Sequence, residues 1–293
     1  MGRKRGRGYY RRRVKPKLRR EPYIRKDQKI TEGKPYRIWV KVMLVVAVTS
    51  LFFLSAIFLW LNWSFAVYER DFGENHSIQI SVEVPRAAIL DGLYRTEPNL
   101  TFINNLVDCL GKAGFHVELF QGENVTVNLM RDIGGYKLLV LRLHSAIHTD
   151  GWLYLFSGEL YTESKYVREQ LSGAVRRGYT FNESEPPYFA LNSAFLGMNK
   201  PEGLKNSIII LMGCNGTGDL YSIKRLLERG VKAYIAWSGY IDSSYSDAVT
   251  LKLVRALCLE ELSPKEAVEK IMKEIGPDPL YGSVLECYTS YQT

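Results

Sequence analysis

The sequence lacks the residue clusters that hold transition metals or nucleotide phosphates. Its four His and four Cys are spread over 293 residues and show no zinc-binding spacing. The glycines Gly213, Gly216 and Gly218 match neither the dinucleotide fingerprint nor a Walker A loop. A phosphate-binding loop at these glycines is therefore the weaker alternative, and the sequence predicts no metal and no cofactor.

Acidic residues are scarce at the N-terminus. Residues 1–41 hold 17 Lys and Arg against 3 Asp and Glu, a net charge of +14. The rest of the chain holds 22 against 28, a net charge of −6. The overall charge of +8 is therefore the sum of a basic tail and a mildly acidic body. The composition of the tail predicts disorder in isolation.

Charge is absent from Val42–Val67, which consists mostly of Val, Leu, Phe, Ala, Ile and Trp. About 20 apolar residues suffice to cross a bilayer as a helix. A cleaved signal peptide is the alternative, since Ser64-Phe65-Ala66 has small residues at a suitable spacing. The long charged leader and the length of the apolar stretch argue against cleavage. We expect an uncleaved anchor and a single-pass membrane protein.

The basic residues predict the orientation of this anchor. Lys34, Arg37 and Lys41 precede it, whereas Arg70 is the only basic residue soon after it. The positive-inside rule places the N-terminus in the cytoplasm and residues 70–293 outside. Anionic lipid is the expected partner of the basic run 3–29, with nucleic acid as the alternative. Five N-x-Ser/Thr sequons agree with an external location: Asn75, Asn99, Asn124, Asn182 and Asn215.

Residues 68–85 resemble a spacer, and strands alternate with helices from residue 86 to the C-terminus. This alternation predicts an α/β fold with a mostly parallel sheet and helices on both faces. The predicted strands are Ala87–Leu90, Phe115–Phe120, Lys137–His144, Ser207–Gly213 and Val231–Trp237. The predicted helices begin at Asn99 or Thr101, at Asp219, at Ser246 or Asp247, and at Ser263, and Val125–Ile133 is predicted to form a short helix or a turn.

The pattern changes between the third and fourth of these strands. Trp152–Ser157 predicts a short strand and Lys165–Arg177 a helix, whereas Tyr179–Met198 predicts irregular backbone. An insertion this long and polar suits the rim of a substrate site better than a core.

Two of the apolar strands end on reactive side chains. His144 follows Lys137–Leu143, and Cys214 follows Ser207–Gly213. Neighbouring parallel strands deliver their C-terminal ends to one crevice, so His144 and Cys214 can meet there as base and thiol nucleophile. His148 is the weaker candidate for the base, because it lies in a loop. A structural Cys at a strand end is the alternative for Cys214.

Other residues near these strands leave alternatives open. Trp237 and Ser238 line a specificity pocket or, equally well, Trp237 belongs to the core. Asp247 is explained as a helix cap. The four cysteines allow three complete pairings in an oxidising compartment, and a Cys258–Cys287 bridge that pins the C-terminal tail is one alternative.

The order strand–His144–insertion–strand–Cys214, then Gly230–Trp237, then Asp247 and a helix, resembles the caspase-like cysteine peptidases of clan CD. That group includes caspases, gingipains, separase and CHAT domains. The last third, from Ile208 to about Ile271, is most similar to the gingipain and CHAT pattern. The motifs that carry this likeness are Glu228-Arg229-Gly230 and Lys265-Glu266-Ala267, and the resemblance covers roughly Ala87–Ile275.

The resemblance implies a three-layer caspase-like domain over 86–293, with His144 as general base and acid and Cys214 as nucleophile. Backbone amides around Gly213 and Cys214 would form the oxyanion hole. The family usually has Gly directly after its His, whose amide helps to bind the oxyanion, whereas this chain has Ser145. The expected function is a membrane-anchored cysteine endopeptidase acting on a peptide or protein. The alternatives are an inactive caspase-like module that binds a protein at the cell surface and, more weakly, a scaffold for a functional basic tail.

Overall fold

The computed structural model describes residues 36–73 and 84–290, which fall into two separate units. The first is the helix α1, Tyr36–Gly73. Within it, Trp39–Trp63 is long and apolar enough to cross a membrane by length and composition, and this segment overlaps the predicted anchor Val42–Val67. The predictions for the basic tail up to residue 35, for spacer residues 74–83 and for Asn75 fall outside the described residues.

The second unit is an α/β domain built on a six-stranded sheet. In the order of the sheet, its strands are β10 (Leu285–Thr289), β9 (Ala233–Trp237), β8 (Ile208–Leu211), β3 (Leu138–Arg142), β1 (Arg86–Asp91) and β2 (His116–Gln121). All neighbours in this sheet pair in parallel except β10, which runs antiparallel to β9. The predicted α/β class with a mostly parallel sheet is confirmed.

Alternate residues of the strands belong to two different hydrophobic clusters, as expected for a sheet covered on both faces. One cluster joins Ile89, Val140, Ile210 and Ile235 to the helices α2 (Leu100–Lys112), α6 (Ser243–Cys258) and α7 (Pro264–Ile275). The other joins Leu90, Leu141, Ile209 and Tyr234 to α3 (Val127–Asp132), α5 (Leu220–Glu228) and the insertion. The continuous apolar runs in the sequence follow from this double burial.

Most of these helices begin at residues whose side chains accept a backbone hydrogen bond, as the sequence predicts. Asn99 caps α2, Asp219 caps α5, and Ser263 forms a capping box at α7. The prediction for α6 is wrong. Asp242 caps this helix by accepting from the Tyr245 N–H, so α6 begins at Ser243 and Asp247 lies one turn inside it.

The insertion forms a second sheet, which corrects two predictions. Its strands are β4 (Ser145–Ile147), β5 (Leu153–Leu160), β7 (Tyr188–Asn192) and β6 (Val175–Gly178), all antiparallel and in that order. The predicted helix Lys165–Arg177 shrinks to α4, Val167–Leu171, because Gly173 takes a φ of +74° and the chain then enters β6. The predicted irregular stretch contains β7, whose five residues are all buried.

The second sheet also belongs to the core rather than only to a rim. Leu155, Val175, Phe189 and Leu191 pack in the same cluster as β3 and β8 of the main sheet. The prediction that the insertion is only a rim is therefore wrong.

The C-terminal strand β10 is a further feature that the sequence patterns do not predict. It carries Cys287 along the outer edge of β9. All four cysteines are free thiols, so the alternative of a Cys258–Cys287 bridge does not hold. Burial raises the pKa of Cys287 to about 11, and burial together with the nearby Cys109 raises the pKa of Cys258 to about 11.

Candidate active site

His144 lies two residues beyond β3, at the C-terminal edge of the main sheet. Its Nε2 is 3.2 Å from the hydroxyl oxygen of Thr96, in the loop after β1. Its ring and the ring of Phe156 in β5 form an edge-type contact, with 6.1 Å between the ring centres. Burial lowers the pKa of His144, while the carboxylates of Glu97 and Glu185 oppose this shift. A neutral imidazole at neutral pH follows, which is the form that can accept a proton.

Cys214 lies in the turn between β8 and α5, half-buried. Burial raises the pKa of its thiol, because a charged thiolate loses solvation. A hydrogen bond from the Ile241 backbone amide favours the thiolate, whereas the carboxylates of Glu97 and Asp278 oppose it. The free protein therefore holds Cys214 as a neutral thiol at neutral pH.

The topology brings these two residues to the same place. β3 and β8 are adjacent and parallel, with Leu141 opposite Leu211, so both chains leave the sheet at its C-terminal edge. His144 and Cys214 line two adjoining cavities together, of about 750 and 340 Å³. Within the described residues no hydrogen bond joins the imidazole to the thiol; such contacts often tighten only when substrate binds.

Ser145 fastens the His144 loop to the Cys214 loop. Its hydroxyl donates a hydrogen bond of 2.6 Å to the carbonyl oxygen of Cys214. The two loops approach so closely that a Cβ added at Gly213 would collide with the Ser145 hydroxyl and the Leu143 carbonyl oxygen. Glycine is therefore required at position 213 by the close packing of the two loops.

Backbone amides are available to stabilise negative charge at this point. The amides of Gly213 and Cys214 donate to no protein acceptor among residues 84–290. Ser145 lies opposite Leu155 in the antiparallel pair of β4 and β5. Because the Phe156 N–H donates to the His144 carbonyl, Ser145 and Leu155 form a pair whose backbone groups do not hydrogen-bond to each other. The Ser145 N–H therefore points away from β5. Three amides are thus free to bind an oxyanion, given a substrate in the cavity.

A buried ion network forms one wall of the larger cavity. The guanidinium of Arg142, at the end of β3, donates to both carboxylate oxygens of Asp247 at 2.8 and 2.9 Å. It also donates to Asp91 at 2.8 Å and to the Glu97 carbonyl at 2.8 Å. Burial disfavours the guanidinium charge, but Asp247 and Asp91 outweigh it and raise the pKa of Arg142. The predicted cap Asp247 is thus an ion-pair partner that fixes the strand beneath His144.

The other predicted pocket residues lie elsewhere. Trp237 is fully buried, and its indole N–H donates to the Ser246 hydroxyl, so it belongs to the core and not to the cavity wall. The Ser238 hydroxyl accepts from the Val284 N–H at 3.0 Å, next to β10. Asn99, one of the five sequons, caps α2 and donates to Asp247, so its amide is already engaged.

Four residues that line the larger cavity are not indicated by any sequence pattern: Glu97, Phe181, Tyr240 and Tyr281. They come from four loops far apart in the sequence, and no local motif marks them. Arg142 did carry a signal, because it is the one charged residue between Leu138 and Leu143 and a charge on a buried strand requires partners.

Comparisons with known proteins add nothing to this geometry: no protein-family model matches the chain, and no curated protein matches it.

Proposed function

We propose that residues 86–293 form a three-layer caspase-like domain that acts as a cysteine endopeptidase on peptides or proteins. The observation that carries the proposal is that His144 and Cys214 line the same two cavities at the ends of adjacent parallel strands. The free amides beside Cys214 support it further. The chemistry needs a thiol, a neutral base and oxyanion donors in one crevice, and these residues supply all three.

The reaction would proceed by acyl transfer. The imidazole of His144 takes the proton of the Cys214 thiol, and the sulfur attacks the carbonyl carbon of the peptide bond. The oxyanion forms among the amides of Gly213, Cys214 and Ser145. The C–N bond then breaks as His144 returns the proton to the leaving amine, which leaves a thioester on Cys214. Water, deprotonated by His144, hydrolyses that thioester and regenerates the thiol.

The proposed location follows from α1. The segment Trp39–Trp63 would anchor the protein in the membrane, with the N-terminus in the cytoplasm and the α/β domain outside. The basic residues before the anchor would contact anionic lipid at the inner leaflet.

The test is peptidase activity of the full-length chain in detergent, measured with a fluorogenic peptide library. We expect His144→Ala to lower kcat/KM about 10²–10⁴-fold, since that is the usual contribution of a general base. Cys214→Ala should abolish turnover, because no nucleophile remains. His148→Ala and Cys258→Ala are matched controls, since neither residue lines the two cavities, and both should keep activity. Equal activity in all four variants would contradict the proposal.

A second function is an inactive caspase-like module that binds a protein at the cell surface. The raised pKa of Cys214 and the presence of Ser145 in place of the usual Gly favour it. In that case Cys214→Ala would retain partner binding, and the wild-type protein would cleave no member of the library.

A further inference from the structure

The larger cavity contains more than the reacting groups. It extends from His144 and Cys214 to the loop after β1 and the loop before α6. Four charged side chains line it: Glu97, Arg142, Asp242 and Asp247. Which of them is free to meet a ligand decides what the cavity can bind.

Three of these four charges are already engaged. Arg142 is 1 % exposed and uses its donors on Asp247, Asp91 and a backbone carbonyl. Both carboxylate oxygens of Asp247 accept hydrogen bonds from Arg142. Asp242 caps α6. A negatively charged ligand would therefore find no free cation here among the described residues.

Glu97 is the exception. It lies in the loop after β1, half-buried, and its carboxylate has no hydrogen bond or ion pair within residues 84–290. Its backbone, by contrast, is fixed, because its amide donates to Leu93 and its carbonyl accepts from Arg142. The cavity thus holds one uncompensated carboxylate at a fixed position.

The rim of the cavity is aromatic. Phe181 contacts Tyr240, with 5.8 Å between ring centres, and Tyr240 contacts Tyr281 at 6.1 Å. Phe181 is 85 % exposed although it adjoins the reacting groups. Aromatic faces attract cations and also pack against aliphatic chains. A Lys or Arg side chain has both parts, a cationic head group and an aliphatic stem.

We propose that this cavity binds a Lys or Arg side chain of the substrate, with Glu97 as its counter-ion and the row Phe181, Tyr240 and Tyr281 along its stem. The inference rests on the proposed peptidase function and deepens it, because it names the class of residue bound beside the scissile bond.

The same carboxylate couples binding to reactivity. Glu97 and Asp278 oppose the thiolate of Cys214, so a cation bound at Glu97 cancels part of that opposition. For His144, burial and Arg142 lower the pKa, whereas the carboxylates of Glu97 and Glu185 raise it. Neutralising Glu97 therefore lowers the pKa of the Cys214 thiol and also lowers the pKa of His144, so it favours the thiolate and the neutral imidazole. A bound cation would thus make the Cys214 thiolate easier to form than it is in the empty site.

The test measures reaction of Cys214 with three methanethiosulfonates that differ in charge: trimethylammonioethyl, methyl and sulfonatoethyl. In each case the thiolate attacks the sulfenyl sulfur, a mixed disulfide forms, and methanesulfinate leaves. Mass spectrometry of the full-length chain in detergent follows Cys214 and the other three cysteines separately. The variants are Glu97→Gln and, as a matched control of equal charge change, Glu228→Gln at the exposed end of α5.

In the wild type we expect Cys214 to prefer the cationic over the anionic reagent by about tenfold or more beyond the ratio for free 2-mercaptoethanol. Glu97→Gln should remove most of that preference. The same variant should react faster with the neutral methyl reagent, because loss of the carboxylate lowers the pKa of Cys214. These opposite changes distinguish a charge effect from a general loosening, which would alter all three rates alike. Glu228→Gln should change neither result.

The possible failures are distinct. If Cys214 reacts but ranks the reagents as 2-mercaptoethanol does, or if Glu97→Gln leaves the ranking unchanged, the cation pocket is refuted and the peptidase proposal stands. If Cys214 reacts with none of the three reagents faster than the buried Cys109 does, the proposed function fails and the inference fails with it.

Discussion

The two sheets of the α/β domain each bury a charged side chain, and they do so differently. In the main sheet, Arg142 is 1 % exposed and its ion-pair partners Asp91 and Asp247 are 1 and 4 % exposed. In the second sheet, Glu159 is also buried, but its partner Lys165 is 52 % exposed. All members of the main-sheet network are therefore shielded from solvent, whereas the second-sheet network includes a solvent-exposed Lys165. The comparison teaches that the strand beneath His144 is held by charges that have no access to water.

The largest expected effect is that of Arg142→Met. It leaves two carboxylates buried without a cation, so we expect the free energy of unfolding to fall by about 4–5 kcal/mol. Urea denaturation of the full-length chain measures it. Arg176→Met is the matched control, because Arg176 is 39 % exposed and pairs with Asp150 at the surface, and should cost at most about 1 kcal/mol. Equal costs for the two variants would contradict the contrast between closed and open networks.

Phe189→Ala tests whether the second sheet shares the core. Phe189 is fully buried among Tyr161 and Tyr166 and belongs to the cluster of β3 and β8. We expect a loss of about 3–4 kcal/mol, measured in the same way, because the change leaves a cavity. Leu171→Ala is the control, since Leu171 is 84 % exposed. If the second sheet formed only the rim of the site, neither variant would lower the free energy of unfolding by much.

Glu159→Gln should have the smallest of the three effects. The carboxylate accepts from the Val127 N–H at 2.7 Å and from the Tyr166 hydroxyl at 2.9 Å, and it pairs with Lys165. Gln keeps one carbonyl acceptor and Lys165 can turn to water, so we expect a cost of about 1–3 kcal/mol. Hydrogen exchange of the Val127 amide reports the local change. A loss as large as that of Arg142→Met would show that both networks are equally closed.

The main sheet could be predicted because its strands are buried on both faces. Runs such as Leu138–Leu141 and Ile208–Leu211 are interpreted as buried strands. The helices between the strands carry apolar residues at regular spacing and begin at cap residues. The second sheet could not be predicted in the same way. Tyr188–Asn192 follows two prolines and is stabilised by pairing with β5 and β6, which are distant in sequence. The strand β10 likewise depends on β9.

In the candidate site, too, local sequence predicts some residues, whereas others depend on contacts between distant segments. Local sequence predicts that His144 and Cys214 leave adjacent strands at one edge, because each follows an apolar run directly. It does not predict Glu97 or Phe181, because their place in the cavity is set by how loops pack. Local sequence indicates a cap at Asp247, because this residue is near a helix start; the ion pair with Arg142 on the neighbouring strand explains its actual place.

The main sheet has two edge strands, β10 and β2, and the outer backbone groups of β2 have no neighbouring strand in the described chain. Such an edge can recruit a strand from another molecule and start aggregation. Here Glu118, in the middle of β2, is held by Arg86 and Tyr136, and the hydrogen bond from Arg86 lowers its pKa. It therefore stays charged at neutral pH. A second β2 added antiparallel about Glu118 would bring two such carboxylates opposite each other, which disfavours pairing between two copies of this edge.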